Sequence, residues 1–378
     1  MRVLVAFDKF KDALSARAAG EAAAVALRAK HPAWTLDLCP LTDGGEGFAE
    51  ALTLAAAGRL GLAEVTGARG RQIPAPTGII DWGNVPPAAR AALPGTPANG
   101  RGAVIGLASA SGLELLAREE RDPWRTTTLG TGELLARAAP KVGLILLGVG
   151  GSATNDLGLG ALAALGFRFF KNDGTSVAVP TPDQWERIIR IERPTLDLPP
   201  IFIACDVTNP LLGPRGATAT FGPQKGLAAA DVPRLEAQMA RMAALLCAAC
   251  GQPLSLAATP GAGAAGGIAF GLMVAVNARL VPGFELVSAW LDLPTRLAAA
   301  DLVITGEGRF DATSLGGKGP GALVHQARQL GKPAHVFAGS LGVTPDGAHH
   351  AITPPGLPLA EALPRTAELL AAAVARQF

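Results

Sequence analysis

Four stretches of this 378-residue chain gather charged and polar residues, three of them among glycines, each just past a short apolar run. The first is Asp8-Lys9-Phe10-Lys11-Asp12. A lysine just beyond a strand can reach phosphate or carboxylate oxygens as a mobile point charge, although Lys9 and Lys11 taken alone also suit a solvated surface. The second, Thr42-Asp43-Gly44-Gly45-Glu46-Gly47, puts two acids in a glycine-rich loop ahead of a helix. Free N–H groups beside carboxylates suit Mg²⁺ or a polyhydroxylated substrate; a tight turn with Asp43 as helix cap is the plainer alternative. The third runs from Gly148 through Gly150, Gly151, Ser152, Thr154, Asn155 and Asp156 to Gly158. Its glycines allow close backbone approach to an anion, yet it matches neither the Walker lysine loop nor the dinucleotide fingerprint. The fourth is Thr305-Gly306-Glu307-Gly308-Arg309-Phe310-Asp311, followed by Gly316-Gly317-Lys318-Gly319-Pro320. It is crowded with opposite charges that could equally form a structural ion-pair network.

A further carboxylate, Asp206, closes the apolar run Ile201 to Cys205. At a strand end it is rigidly aimed and is a candidate general base. The five histidines are scattered and none lies in these turns, which argues against a Ser-His-Asp hydrolase or a histidine-rich metal site. Carboxylates, lysines and glycine turns without histidine suit phosphoryl transfer, where catalysis is mostly positioning and charge neutralisation. The residues by themselves lead as far as an oxygen-rich ligand such as a nucleotide phosphate.

The elements that must position these residues follow from periodicity. Arg2 to Phe7 reads as a buried parallel strand, with Ser15 capping a helix through Lys30. A strand at Thr35 to Cys39 and a helix at Phe48 to Ala57 complete a β-loop-α-β-loop-α opening, which predicts a doubly wound parallel sheet. Ligands of such sheets bind at the carboxyl ends of the strands. From Gly58 the texture changes to short β-like stretches (Ala63 to Thr66, Thr77 to Asp81, Gly102 to Leu107). A helix near Gly132 to Ala139 and strands at Gly143 to Val149 and Ile201 to Cys205 follow. Pro180 to Pro200 reads as irregular, and a helix is expected near Ala230 to Ala249. Asp301 to Thr305 and Ala334 to Phe337 are again short strands leading into glycine turns. The expected fold class is α/β: a discontinuous flavodoxin/Rossmann-like parallel-sheet domain (residues 1–60 and 285–378) with an inserted mixed α/β domain (61–284).

Composition narrows the class. Apolar residues make up 49% and charged residues 17%, which excludes a disordered or coiled-coil chain. The net charge of +2 is interspersed, so no nucleic-acid partner is expected. No apolar run approaches a membrane span and the first one is too short for a signal segment, so no membrane partner and a cytoplasmic location are expected. Of the four cysteines, Cys247 and Cys250 share a Cys-x-x-Cys in an Ala/Leu-rich helix. Two thiols cannot complete a zinc site, and buried reduced thiols are expected there.

Taken in order, the motifs resemble the type I bacterial glycerate kinase family. The matching segments include Phe7-Asp8-Lys9-Phe10-Lys11, Asp43 to Gly47, Ala108 to Leu113, Thr127 to Leu134 and Gly150 to Asp156. They continue with Ala204 to Val207, Asn209 to Leu211, Phe221 to Gly226, Gly261 to Gly267 and Ile304 to Arg309. Each is weak singly; together they are specific. The resemblance implies the discontinuous flavodoxin-like domain and its insertion, a site in the cleft between them, ATP and Mg²⁺, and glycerate as acceptor. It points to D-glycerate giving 2-phosphoglycerate, with a kinase for another small sugar acid or a non-catalytic hydroxy-acid or nucleotide sensor as alternatives. A monomer or homodimer is expected.

Under that resemblance Lys11 and Arg309 are expected at the glycerate carboxylate or the transferring phosphoryl group, and Lys318 as a neutralising charge. Asp8, Asp43, Glu46 and Asp311 are expected to contact substrate, and Asp43 and Glu307 to hold Mg²⁺. Gly150, Gly151, Ser152, Asn155 and Asp156 are expected to bind nucleotide. Asp206 is the expected base, with Asp156 and Asp311 as rivals. The chain departs from the family pattern at Lys9 and Asp12, often Ser and Gly, at Thr313 and Gly316, often Gln and His, and at Leu157, often Gly.

Overall fold

The computed structural model describes residues 1–97, 99–312, 314, 319–343 and 348–378. Its strands, numbered along the chain, begin with β1 (Arg2–Phe7), β2 (Thr35–Leu38), β3 (Arg59–Thr66), β4 (Gln72–Asp81), β5 (Arg101–Gly106), β6 (Leu144–Gly148) and β7 (Arg168–Lys171). There follow β8 (Ser176–Val177), β9 (Ile188–Glu192), β10 (Ile201–Ala204), β11 (Arg279–Val281), β12 (Leu302–Phe310), β13 (Ala334–Leu341) and β14 (Ala348–Ala351). The chain divides into two units, Met1–Asp43 with Val287–Phe378, and Gly44–Leu286.

The discontinuous unit holds a five-stranded sheet in the order β14-β13-β12-β1-β2, with every neighbouring pair parallel. Numbered within the unit, that is the flavodoxin-like order 2-1-3-4-5, whose switch point lies between β1 and β12. Strand β1 is buried along Val3 to Phe7, as an apolar run in an all-parallel sheet must be. The helix Ala16–Lys30 starts where the Ser15 hydroxyl accepts the Ala18 N–H at 3.2 Å. Its Ala19, Ala23 and Leu27 face pack with Val3, Val5 and Phe7 and with Leu370 and Val374 of the helix Thr366–Gln377.

The second unit holds a six-stranded sheet, β11-β10-β6-β5-β4-β3. The four strands from β11 to β5 are parallel; β4 and β3 are antiparallel. Its core joins Ile145 and Leu147 of β6 to Ile203 of β10 and to the helices Leu129–Ala138, Val232–Cys250 and Ala264–Val276. Cys247 and Cys250 are buried free thiols facing that core. Where the sequence reading placed the chain crossing near residue 60, the units divide after Asp43. The helix Phe48–Ala55 packs on β4 and β5 and so belongs with the second sheet.

Two local expectations differ from the structure. Within the stretch read as irregular, β9 forms by antiparallel pairing with β7, burying Ile188 and Ile191; its prolines flank the strand rather than interrupt it. The turn expected at Gly306 to Gly308 is strand: β12 runs on to Phe310, paired with β13 through Glu307↔Ala338 and Phe310↔Leu341. Gly306 makes this possible, because a Cβ there would lie 1.8 Å from the Phe337 carbonyl oxygen. Leu157 and Asp12, two of the departures from the pattern the sequence resembles, both adopt left-handed backbone, φ 57° and 60°. A β-carbon is unfavourable there by roughly 1 kcal/mol. Leu157 offsets this by full burial in the core, and Asp12 carries the short polar side chain that tolerates the conformation best.

Candidate active site

In the discontinuous unit the carboxylates gather at the switch point of the sheet. Asp8 follows β1, Glu307 lies in the second half of β12, and Asp43 follows β2, so three adjacent parallel strands carry one acid each. Burial, then repulsion from Asp43, pushes the Asp8 carboxyl up to about 7, against the Lys9 amide that donates to Oδ1 at 2.7 Å. Burial likewise raises Glu307, with Asp311 and Asp43 adding to the rise and the Ser314 hydroxyl opposing it. Glu307 Oε1 is buried without a hydrogen-bond partner. An under-satisfied oxygen among mutually repelling acids fits a hard cation, which takes oxygen ligands. Among the described residues no group of three or more His, Cys, Asp or Glu is arranged to hold a metal by itself. Mg²⁺ is commonly bound by one or two carboxylates together with substrate phosphates.

Arg309 and Asp311 stand on the same strand end as an ion pair, Nε to Oδ2 3.1 Å, with the arginine side chain 72% exposed. They are expected in different roles, and each now neutralises the other. Lys11 is exposed on the loop beside β12, its N–H 3.0 Å from where a Cβ on Gly308 would stand. Lys318 lies outside the described residues.

In the second unit β5, β6 and β10 run parallel, so the loops leaving them emerge at one edge of the sheet. The segment after β5 is stitched to the glycine loop after β6. Leu107 donates its N–H to the Gly148 carbonyl at 2.8 Å, Leu113 to that of Gly151 at 2.8 Å, and Ala153 to that of Ser111 at 2.9 Å. The Gly44 to Glu46 loop closes on the same place, the Gly150 N–H donating to the Gly44 carbonyl at 2.9 Å. A Cβ on Gly150 would stand 2.7 Å from the Gly45 nitrogen, and one on Gly151 2.1 Å from Glu46 Oε1. Gly150 must therefore be glycine for the two backbones to touch, whereas Gly151 meets only the movable end of Glu46 and favours glycine through its φ of +70°. Expected residues Gly150, Gly151, Ser152 and Glu46 thus lie together.

Asp206 follows β10. Both its oxygens accept the Phe284 N–H, at 3.0 and 3.1 Å, in the first turn of the helix Gly283–Trp290. The carboxylate thereby caps a helix while remaining only half-buried at a strand terminus.

Asp156 is where the expected ligand set needs correction. It is fully buried, and its oxygens accept from the Thr128 N–H and hydroxyl at 2.7 and 2.8 Å and from the Gly158 and Gly160 N–H groups at 3.2 Å each. Burial raises its pKa and these four donors oppose the rise. With its lone pairs so engaged it is an internal anchor, neither nucleotide ligand nor exposed base. Asn155 is also fully buried; its amide donates to the Thr218 hydroxyl at 3.1 Å while Oδ1 has no partner.

Lys225 lies in the Phe221 to Gly226 segment and is a site residue the sequence reading missed. It is 1% exposed, and its ammonium donates to Ser152 Oγ at 2.8 Å and to the Thr154 carbonyl at 2.6 Å. The one available signal was a lysine set between prolyl and glycyl turns with no neighbouring acid.

The family model described as the glycerate kinase family matches residues 3–377. A Bacillus subtilis protein named glycerate kinase is 36% identical over 98% of this chain and 95% of its own length. An Escherichia coli glycerate 2-kinase is 37% identical over 90% of this chain and 86% of its own. A crystal structure of a Salmonella typhimurium LT2 protein, assigned as glycerate kinase 2, superposes with a TM-score of 0.76 at 36% identity, covering 100% of this chain and 96% of that one.

Proposed function

The chain belongs to the glycerate kinase family, and on that premise we propose that it transfers the γ-phosphoryl group of Mg·ATP to the 2-hydroxyl of D-glycerate. ATP is the co-substrate a kinase family implies. The observation that carries the reading is the meeting of the Gly44 to Glu46 loop with Gly148 to Ser152, at the edge of the sheet from which Asp206 also leaves its strand. The Gly151 backbone N–H and the Ser152 hydroxyl hold nucleotide phosphate, on a loop whose place is fixed by the Gly150 N–H bond to the Gly44 carbonyl. Asp206 takes the proton of the acceptor hydroxyl as its oxygen bonds to the γ-phosphorus, while the bond to the bridging oxygen breaks and ADP leaves. Lys11 and Arg309 bind the acid's carboxylate or the transferring group. Asp43 and Glu307, beside Asp8, hold Mg²⁺, which when bound neutralises phosphate charge.

The test is purified protein with D-glycerate and Mg·ATP, following ADP release and then the phosphorus NMR spectrum of the product. Release that depends on D-glycerate, with a 2-phosphate resonance, is expected. No release above the ATP-only blank would overturn the activity, a 3-phosphate the regiochemistry, and a better rate with another sugar acid the acceptor. A monomer or homodimer working in the cytoplasm belongs to the same proposal; among the described residues no helix is long and apolar enough to cross a membrane.

A further inference from the structure

A buried lysine is costly to keep charged, and a cheaper apolar side chain could fill its space. Lys225 nonetheless sits in the interior of the second unit, donating to Ser152 and to the Thr154 carbonyl. Its turn is fixed tightly. Gly226 has φ +96°, and a Cβ there would lie 2.2 Å from the Arg121 carbonyl oxygen. The neighbouring helix Ala217–Phe221 grips the same loop through Thr218, which accepts from Asn155. On the opposite side Gly266 approaches so closely that a Cβ would stand 2.0 Å from the Thr154 carbonyl oxygen. The loop is clamped at Ser152, Thr154 and Asn155, yet within it Thr154 Oγ1 and Asn155 Oδ1, in wholly buried residues, have no partner.

The direction of the hydrogen bonds matters. An ammonium only donates, so Ser152 Oγ accepts from Lys225 and its own hydroxyl hydrogen is released to donate elsewhere. A serine polarised this way is a better donor to an anionic oxygen than one bonded to a carbonyl.

We propose that Lys225 is a positioning residue for nucleotide binding, acting through Ser152 to orient its hydroxyl and the Gly150–Ser152 backbone towards phosphate. This rests on the reading of that loop as the phosphate cradle. Burial holds the amine down to about 7, and Asp156 is the charged group that opposes this. The positive charge is therefore sensitive to an approaching anion, which would stabilise it.

The experiment is a double-mutant cycle with Lys225→Met, Ser152→Ala and the double variant, measuring KM for Mg·ATP, KM for glycerate, kcat and melting temperature. Lys225→Met is expected to raise KM for Mg·ATP about tenfold, the size of one charge-assisted hydrogen bond, with KM for glycerate little changed. The double variant is expected to be no worse than Ser152→Ala, because the lysine acts through the serine. Lys225→Gln, which keeps a donor without the charge, provides a milder probe should the methionine variant not fold. Additive effects, or a lowered melting temperature with KM for Mg·ATP unchanged, would reduce Lys225 to a structural part and overturn the proposal. If Ser152→Ala raises KM for Mg·ATP and neither lysine variant does, this inference fails alone. If Ser152→Ala leaves it unchanged, the phosphate-cradle reading falls and takes the inference with it.

Discussion

Replacing Asp206 by asparagine separates two duties that one carboxylate performs. The side chain caps a helix through the Phe284 N–H, at 3.0 and 3.1 Å, and is assigned the substrate proton. Asparagine keeps an oxygen for the amide and is as good a cap as aspartate. What the helix loses is a negative charge at its positive end, about 0.3–1 kcal/mol. The expected fall in melting temperature is therefore only a few degrees. Proton abstraction is another matter, because an amide has no basicity to offer. Loss of a general base lowers turnover about 10²–10⁴-fold, or about 2.7–5.4 kcal/mol in barrier. The assay is ADP release at saturating D-glycerate and Mg·ATP, with a melting curve on the same preparation. Asp206→Ala sharpens the comparison: it should lose turnover equally but stability more, by about 1 kcal/mol for the cap. Asp206→Asn turning over within about threefold of the parent, when base loss costs about 10² or more, would refute the assignment and leave Asp206 as a cap alone.

Gly150→Ala should raise KM for Mg·ATP and lower stability by about 1–3 kcal/mol, because its methyl would stand 2.7 Å from the Gly45 nitrogen and force two backbones apart; steady-state kinetics and denaturant melts check both. Asp8→Asn tests the carboxylate cluster through pH. The Asp8 carboxyl sits at about 7 in the fold against an ordinary 3.8, so the folded protein binds the extra proton between those values. Stability owed to it is complete below the lower value and is lost as pH rises through the upper one. The variant should accordingly melt higher than the parent at pH 8 and show no such advantage at pH 4. Adding Mg²⁺ at about ten times its dissociation constant should stabilise the parent by about 1.4 kcal/mol, and Glu307→Gln or Asp43→Asn should blunt that gain in a thermal shift.

Much of the discontinuous unit was legible in the chain because its signals are local. The apolar run Arg2 to Phe7, the Ser15 cap and the run at Ala334 each declare their element within a few residues, and the structure places strands and helix there. The parallel class followed from the alternation of such elements. The glycine loops at Gly44 and Gly148 were visible for the same reason: their residue types report backbone freedom directly. What the local pattern could not carry was the fate of each charge. Asp156 looked like one more acid in a phosphate loop, and only packing against Thr128 makes it an internal anchor. Gly306 looked like a turn until its neighbour strand was known.

Sequence alone therefore determined most of the elements and the family resemblance, since propensity, periodicity and turn chemistry act over a few residues. The tertiary structure alone decided which charged groups are buried and whom they serve. Lys225 meets Ser152 across 73 positions of chain, and Asp156 meets Thr128 across 28. Desolvation and hydrogen-bond geometry are set by whatever the fold brings into contact, and that distance in sequence is why no local reading assigns them.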